Sequence, residues 1–249
     1  MPWRDNTDPY YVLVSEMMLQ QTQVARVVPK FKEFVHAFPD ISSLALTPLA
    51  NVLILWNGLG YNRRAKFLHD AAKMIVNDFG GEVPLGALEL QSLPGVGANT
   101  AGAVRAYAFN QPALFIETNI RTVLLHHFFE SMAGVTDKQL LTVLERVLDR
   151  KNPRQFYWAT MDYGAWLKAH GFGQLHRARA YKKQSPLRGS RREMRGRILK
   201  VLSVHDFLSN EDLRAAVQAD GRYELAVRSL IADGLVSASS SGYLLTKDV

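Results

Sequence analysis

The chain contains no cysteine, which excludes disulfides, thiolate zinc sites, a cysteine nucleophile and a cysteine-ligated iron–sulfur cluster. It also lacks any apolar run near the roughly 18 residues that a membrane span requires. No membrane partner is expected, and the sequence reads as that of a soluble, cytoplasmic protein. Alternating strand patterns are scarce, and there is no internal repeat or low-complexity tract. Acids are in the minority, 23 against 30 Lys plus Arg, for a formal charge of +7. That balance favours a polyanionic partner without naming one. What is present is ordinary: 249 residues, 47% hydrophobic and 21% charged, enough for one or two globular domains with a sizeable core.

From Pro9 to Phe38 the apolar residues recur at three- and four-residue spacing, which predicts two helices meeting near the glutamines at 20 and 21. The same period returns at Leu49–Leu55, Ala65–Phe79, Thr100–Phe109, Asn119–Phe129, Lys138–Leu148 and Phe156–Leu167. Pro39, Asn57-Gly58, Gly80-Gly81, Pro94-Gly95 and Asn152-Pro153 punctuate these segments as turns. An all-α domain is therefore expected over residues 1–184. From Lys168 to Lys200 eleven Lys or Arg face one acid, Glu193, a linker or a phosphate-facing surface. Residues 185–249 then resemble a small winged-helix domain, with helices at Met194–Val204, after Ser209 and at Tyr223–Asp233, and VSASSSGYLL as the wing. The third of these helices occupies the position of a groove reader, although this unit could equally serve only to pack or cap.

The strongest local signal is LQSLPGVGANTAGAVRAYAF, Leu90 to Phe109. A helix end, then Leu93-Pro94-Gly95-Val96-Gly97, then a new helix predicts a helix-hairpin-helix. Its glycines permit the tight turn and the N–H groups of the second helix face a phosphate. Such a device tracks the nucleic-acid backbone and not the bases; the bland alternative is an ordinary helix–helix turn.

Five strings occur in one order: PWR at 2–4, SEMMLQQTQV at 15–24, WNGLGYNRRAKFL at 56–68, LPGVGANTAGAV at 93–104 and IETNIRTV at 116–123. On these the chain resembles the endonuclease III superfamily of DNA glycosylases, and within it the adenine DNA glycosylases, over about residues 1–167. The resemblance implies two helical lobes with double-stranded DNA, mismatched or oxidised, across the cleft between them. It implies a flipped target nucleotide and a monomeric enzyme that removes adenine mispaired with 8-oxoguanine or guanine. Removal of another mispaired base, such as thymine opposite guanine, is the alternative enzyme reading. A weakened homologue that only binds DNA is the other.

Glu16 sits between apolar residues on a helix face that reads as buried, where an acid has a raised pKa and suits general-acid work; a solvated or capping glutamate is the competing reading. The resemblance makes Glu16 the group that protonates the purine N7, Gln21 a wedge in the base stack with Gln20 beside it, and Tyr61 an intercalating ring. It puts Arg4 near the flipped base and assigns DNA contacts to Leu93, Gly95, Val96, Gly97 and Thr100. Without the family, Tyr61 is a loop aromatic half packed on the core. Asn99 stands where strand-cutting relatives carry a lysine, so a monofunctional enzyme is implied. Adenine-removing relatives have Ser or Tyr there; the amide could hydrogen-bond to Glu16 or the base. Glu117 replaces the family's aspartate, the group that stabilises the sugar cation, and Asn119 would orient it and the attacking water. The extra methylene of Glu117 leaves two readings, a cleft remodelled around Glu117 and Asn99 or a weakened enzyme. Most relatives hold an iron–sulfur cluster after a helix like MDYGAWLK; this chain resembles the cluster-lacking members, and no cofactor is expected. His36 and the His126-His127 pair do not make a metal site, because adjacent helical residues diverge by about 100°. The resemblance does imply a monovalent cation at the carbonyls of Leu93, Gly95 and Val96.

Overall fold

The computed structural model describes residues 1–181 and 185–247. The expected boundary after residue 184 therefore falls beside residues outside the described set, as do the last two positions of the C-terminal domain. In chain order the helices are α1 (Pro2–Asp5), α2 (Pro9–Leu19), α3 (Val24–Ala37), α4 (Ile41–Leu46), α5 (Leu49–Trp56), α6 (Arg63–Asp78), α7 (Ala87–Ser92), α8 (Ala98–Tyr107), α9 (Thr118–Phe128), α10 (Asp137–Val147), α11 (Pro153–Ala169), α12 (Arg191–Leu202), α13 (Asn210–Ala216) and α14 (Tyr223–Ala232). The strands are β1 (Leu208–Ser209), β2 (Val236–Ala238) and β3 (Gly242–Leu245).

The Asp8 carboxylate caps α2 by accepting from the Tyr10 N–H, and Pro9 occupies its first turn, where a missing N–H costs nothing. Val12, Leu13, Val14, Met17 and Met18 are all buried, so α2 is apolar on nearly every side and lies inside the molecule. It packs on α1, α3, α6 and α8. α3 instead has a single apolar stripe, Val27, Phe31 and Phe34, turned inward. A second packing group forms around α9, α10 and α11, and α8 touches both α2 and α11. These are the two expected lobes, joined at α8.

Two helices escaped the periodicity. α1 is a single turn, and α4 is short, but a capping box between Asp40 and Ser43 marks its start. The C-terminal segment follows the order helix, strand, helix, helix, strand, strand, with α12 starting three residues before the expected Met194. Ser209 caps α13 as its spacing to Asp212 predicted. The expected wing is the antiparallel β2–β3 pair, with Val236 opposite Leu245, and β1 joins on the other edge of β3.

The expected groove reader, α14, is anchored at its C-terminal end and exposed along one face. α14 turns Leu225 and Ile231 outward with Arg228, and Asp233 just beyond its end takes Arg63 at the start of α6 and Arg195 of α12. The end of α14 is thus docked on the helical domain. Arg192 reinforces the junction: its guanidinium lies 5.2 Å from the Tyr61 ring centre and donates to the Tyr61 hydroxyl.

Candidate active site

Because α2 is buried on nearly all sides, the side chain of Glu16 has one polar exit, a cavity of about 750 Å³ between the lobes. That volume falls within the range of small-molecule sites. The cavity gathers Arg4, Glu16, Gln20, Gln21, Asn99, Thr100, Glu117 and Asn119, eight residues expected at the site from the sequence.

Glu16, 8% exposed, meets Glu117 through a side-chain hydrogen bond. Burial first, and the Glu117 charge second, hold the Glu16 carboxyl well above the ordinary glutamate range. Burial also raises Glu117, while its hydrogen bond to Glu16 works in the opposite direction. Two carboxyls this close in a low-dielectric site share a proton. Burial acts most strongly on Glu16, which is raised well above the ordinary range, with Glu117 raised beside it.

The backbone beneath Glu117 is fixed on both sides. Asn99, at the start of α8, donates from its amide to the Ile116 carbonyl at 3.2 Å and accepts from the Ile116 N–H at 3.3 Å. Among the described residues its partners are therefore in the backbone before Glu117, which corrects the expected bond to Glu16. An amide has both a donor and an acceptor, and the two extended peptide groups next to it take both. On the other side, Gly164 of α11 lies against the Asn119 carbonyl, and a Cβ at 164 would collide with it. Asn119 presents a buried amide oxygen with no hydrogen-bond partner among the described residues.

The hairpin forms as predicted. Gly95 has φ +76°, and a Cβ there would lie 2.7 Å from Met17 Cε and 2.8 Å from Phe67 Cβ, so this turn tolerates only glycine. Leu93 and Val96 are buried, so their side chains belong to the core and only their backbone faces outward. Gly97 is the N-cap residue of α8. Gln20 is tied to this hairpin, its amide reaching Thr100 Oγ1 at 3.2 Å and the Gly95 carbonyl at 3.4 Å. It thereby ties the end of α2 to the hairpin. Gln21, beside it, is exposed at the tip of the α2–α3 turn with φ +56°. Tyr61 lies outside the cavity, on a loop at φ +48°, with Arg64 5.6 Å from its ring on one side and Arg192 on the other.

Several lining residues were not singled out from the sequence. Asp162 of α11 accepts both arms of Arg4 at 2.8 and 2.9 Å, and the Arg4 guanidinium lies 5.5 Å from the Trp158 ring centre. Tyr107 stacks beside Trp158 at 6.5 Å; its hydroxyl is raised by burial and then by both glutamates. The helical spacing of Tyr107 and Trp158 reads as core, and only the lone acid in MDYGAWLK offered a signal.

A family model described as HhH-GPD superfamily base excision DNA repair protein matches residues 14–150. The chain is 34% identical over 271 residues to a Mycobacterium tuberculosis protein named adenine DNA glycosylase, an alignment covering 97% of this chain and 87% of that one. It is 36% identical over 166 residues to a Buchnera aphidicola protein of the same name, covering 66% of this chain and 47% of that one. Among solved structures, it is similar to a thermostable thymine-DNA glycosylase with a TM-score of 0.63 and 28% identity, over 70% of this chain and 82% of that one. A trapped endonuclease III–DNA covalent intermediate shares the fold, with a TM-score of 0.56 and 21% identity over 72% of this chain and 78% of that one.

Proposed function

Since the chain belongs to the HhH-GPD superfamily of base excision DNA repair proteins, we propose that it is a monofunctional DNA glycosylase that hydrolyses the N-glycosidic bond of adenine mispaired with 8-oxoguanine or guanine. The observation that carries this is the contact of Glu16 with Glu117 in a cavity beside the hairpin that is large enough to admit a base. Relatives identical to this chain at about a third of the aligned positions bear the name adenine DNA glycosylase.

In the proposed reaction Glu16 donates its proton to N7 of the flipped adenine as the bond from C1′ to N9 breaks with its electron pair leaving on the base. Glu117, ionised, stabilises the positive charge that develops on the sugar. Water then attacks C1′, oriented by a hydrogen bond it donates to the free Asn119 oxygen; Glu117 takes one proton as base and the other remains on the new C1′ hydroxyl. The Arg4–Asp162 pair offers a donor and an acceptor side by side, a match for the edge of a base. Asn99 brings no amine, so no Schiff base forms at that position and the product is an abasic site.

Duplex DNA would lie along the hairpin, with Gln21 and Tyr61 at the edge of the base stack. The carbonyls of Leu93 and Gly95 accept from Val96 N–H and Gln20, respectively, and each keeps a lone pair. With the Val96 carbonyl they would hold a monovalent cation, which would supply positive charge toward a phosphate.

The second reading, excision of thymine opposite guanine, is favoured by the likeness to a thymine-DNA glycosylase. Single-turnover incubation with duplexes carrying A opposite 8-oxoguanine, A opposite G and T opposite G, each split with and without hot alkali, separates these. Cleavage only after alkali, in an adenine strand, is the expected result. Cleavage in the thymine strand would replace adenine as the target, and tight binding without cleavage would leave a DNA-binding homologue.

A further inference from the structure

We propose that the outer flank of α11, with the end of α9, is a binding surface for single-stranded DNA, separate from the excision cavity. α11 has two working faces. Trp158, Asp162 and Lys168 line the cavity, whereas Tyr163, Trp166 and His170 lie on the adjacent flank. These three follow helical spacing, the pattern of a core stripe, yet Tyr163 is 38% and Trp166 50% exposed, and Phe172 just beyond is 47% exposed.

Their rings form a ladder. Tyr163 and Trp166 are 6.1 Å apart with planes 19° from parallel, Trp166 and His170 are 4.3 Å apart at 27°, and Trp166 and Phe172 are 6.3 Å apart at 19°. His127 of α9 continues it, stacked 5.6 Å from Tyr163 and hydrogen-bonded to its hydroxyl at 2.9 Å. Core pairs such as Phe34 with Trp56 mostly meet edge-on, here at 81°, and Tyr107 with Trp158 is a single stacked pair, whereas this flank carries a run of several.

A contiguous exposed aromatic patch on a soluble domain marks an interaction site. The charge around it selects the partner. From Gly164 to Tyr181 there is no acidic residue, while Lys168, Arg177 and Arg179 fall within that stretch, and Arg177 donates to the Glu130 carbonyl just beyond α9. The nearest acid along α11, Asp162, is held by Arg4. Parallel rings among cations fit unpaired bases with their phosphates. A duplex buries its base faces in its own stack and offers them nothing.

The inference is independent of the excision chemistry, since it is tested with lesion-free DNA. Affinity for a labelled short oligothymidylate is measured by anisotropy for the full chain and for Trp166→Ala, Trp166→Phe and Phe172→Ala. Each alanine variant is expected to weaken binding by about 5- to 150-fold, with Trp166→Phe close to wild type. Binding and excision of a mismatched duplex, and the thermal midpoint, should stay unchanged. Equal affinity in Trp166→Ala would overturn the proposal and leave the ladder as packing or a protein contact. A parallel fall in duplex binding would show a single shared DNA surface, and overturns it too.

Discussion

Glu117→Asp separates a cleft rebuilt around glutamate from one weakened by it. Removing one methylene withdraws the carboxylate by roughly 1.5 Å if the backbone stays where it is. The structure holds that backbone from both sides: Asn99 clamps both polar groups of Ile116, and Gly164 packs against the Asn119 carbonyl. The shorter acid therefore cannot follow its partner, and its hydrogen bond with Glu16 is broken. Misplacement by about 1 Å in such a site costs about 10²-fold, or about 2.7 kcal/mol of barrier at 1.36 kcal/mol per decade. The assay is single-turnover excision on the duplex that wild type processes best, with enzyme in excess so that product release is not read. A rate equal to or above wild type in Glu117→Asp would refute the reasoning and identify Glu117 as a lesion in an inherited aspartate site. Asn99→Ala should lower the rate in the same direction and leave duplex affinity unchanged, since it acts on Glu117 through Ile116.

Glu16→Gln should abolish turnover while stabilising the fold at high pH. Raised folded-state pKa values mean that stability is present below the ordinary glutamate pKa and lost as pH rises through the folded one, so the gain in thermal midpoint should be larger at pH 8 than at pH 5; an equal gain at both would count against the buried proton. Gly164→Ala drives a methyl group into the Asn119 carbonyl and should cost about 1–3 kcal/mol in urea unfolding, with excision falling alongside. Unchanged stability would mean that α9 and α11 part easily. Arg192→Ala removes the hydroxyl contact and the cation over Tyr61; a cation–π contact of about 0.5–2 kcal/mol translates into duplex binding weaker by about 2- to 30-fold, and unaltered binding would disconnect the C-terminal domain from the Tyr61 loop.

The helices and the hairpin were legible because each rests on a local rule: apolar period, turn residues, or a glycine whose φ only glycine tolerates. Glu16 was legible as a buried acid for the same reason, being a charge on a helix with no polar face. What stayed hidden depends on which distant segments meet. Nothing in the string MDYGAWLK says that Asp162 holds Arg4, because the two lie on α11 and α1. Asn99 was legible as a site residue, but its partner was not, since an amide accepts many partners and only the approach of Ile116 decides between them. The tie of Gln20 to Thr100 stayed hidden for a like reason, since it crosses from the end of α2 to α8. Neither Arg192 nor Asp233 carries any sequence sign of contact with Tyr61 or Arg63.

The two glutamates stand about a hundred positions apart in the chain, one on the innermost helix and the other at the threshold of α9. Bond-breaking power therefore exists nowhere in the polypeptide until both lobes have closed on α8. A chain cut short before residue 117 has Glu16 and the hairpin but lacks the second carboxyl. For a molecule whose work is to cut bases from a genome, completion of the fold serves as its own licence to act.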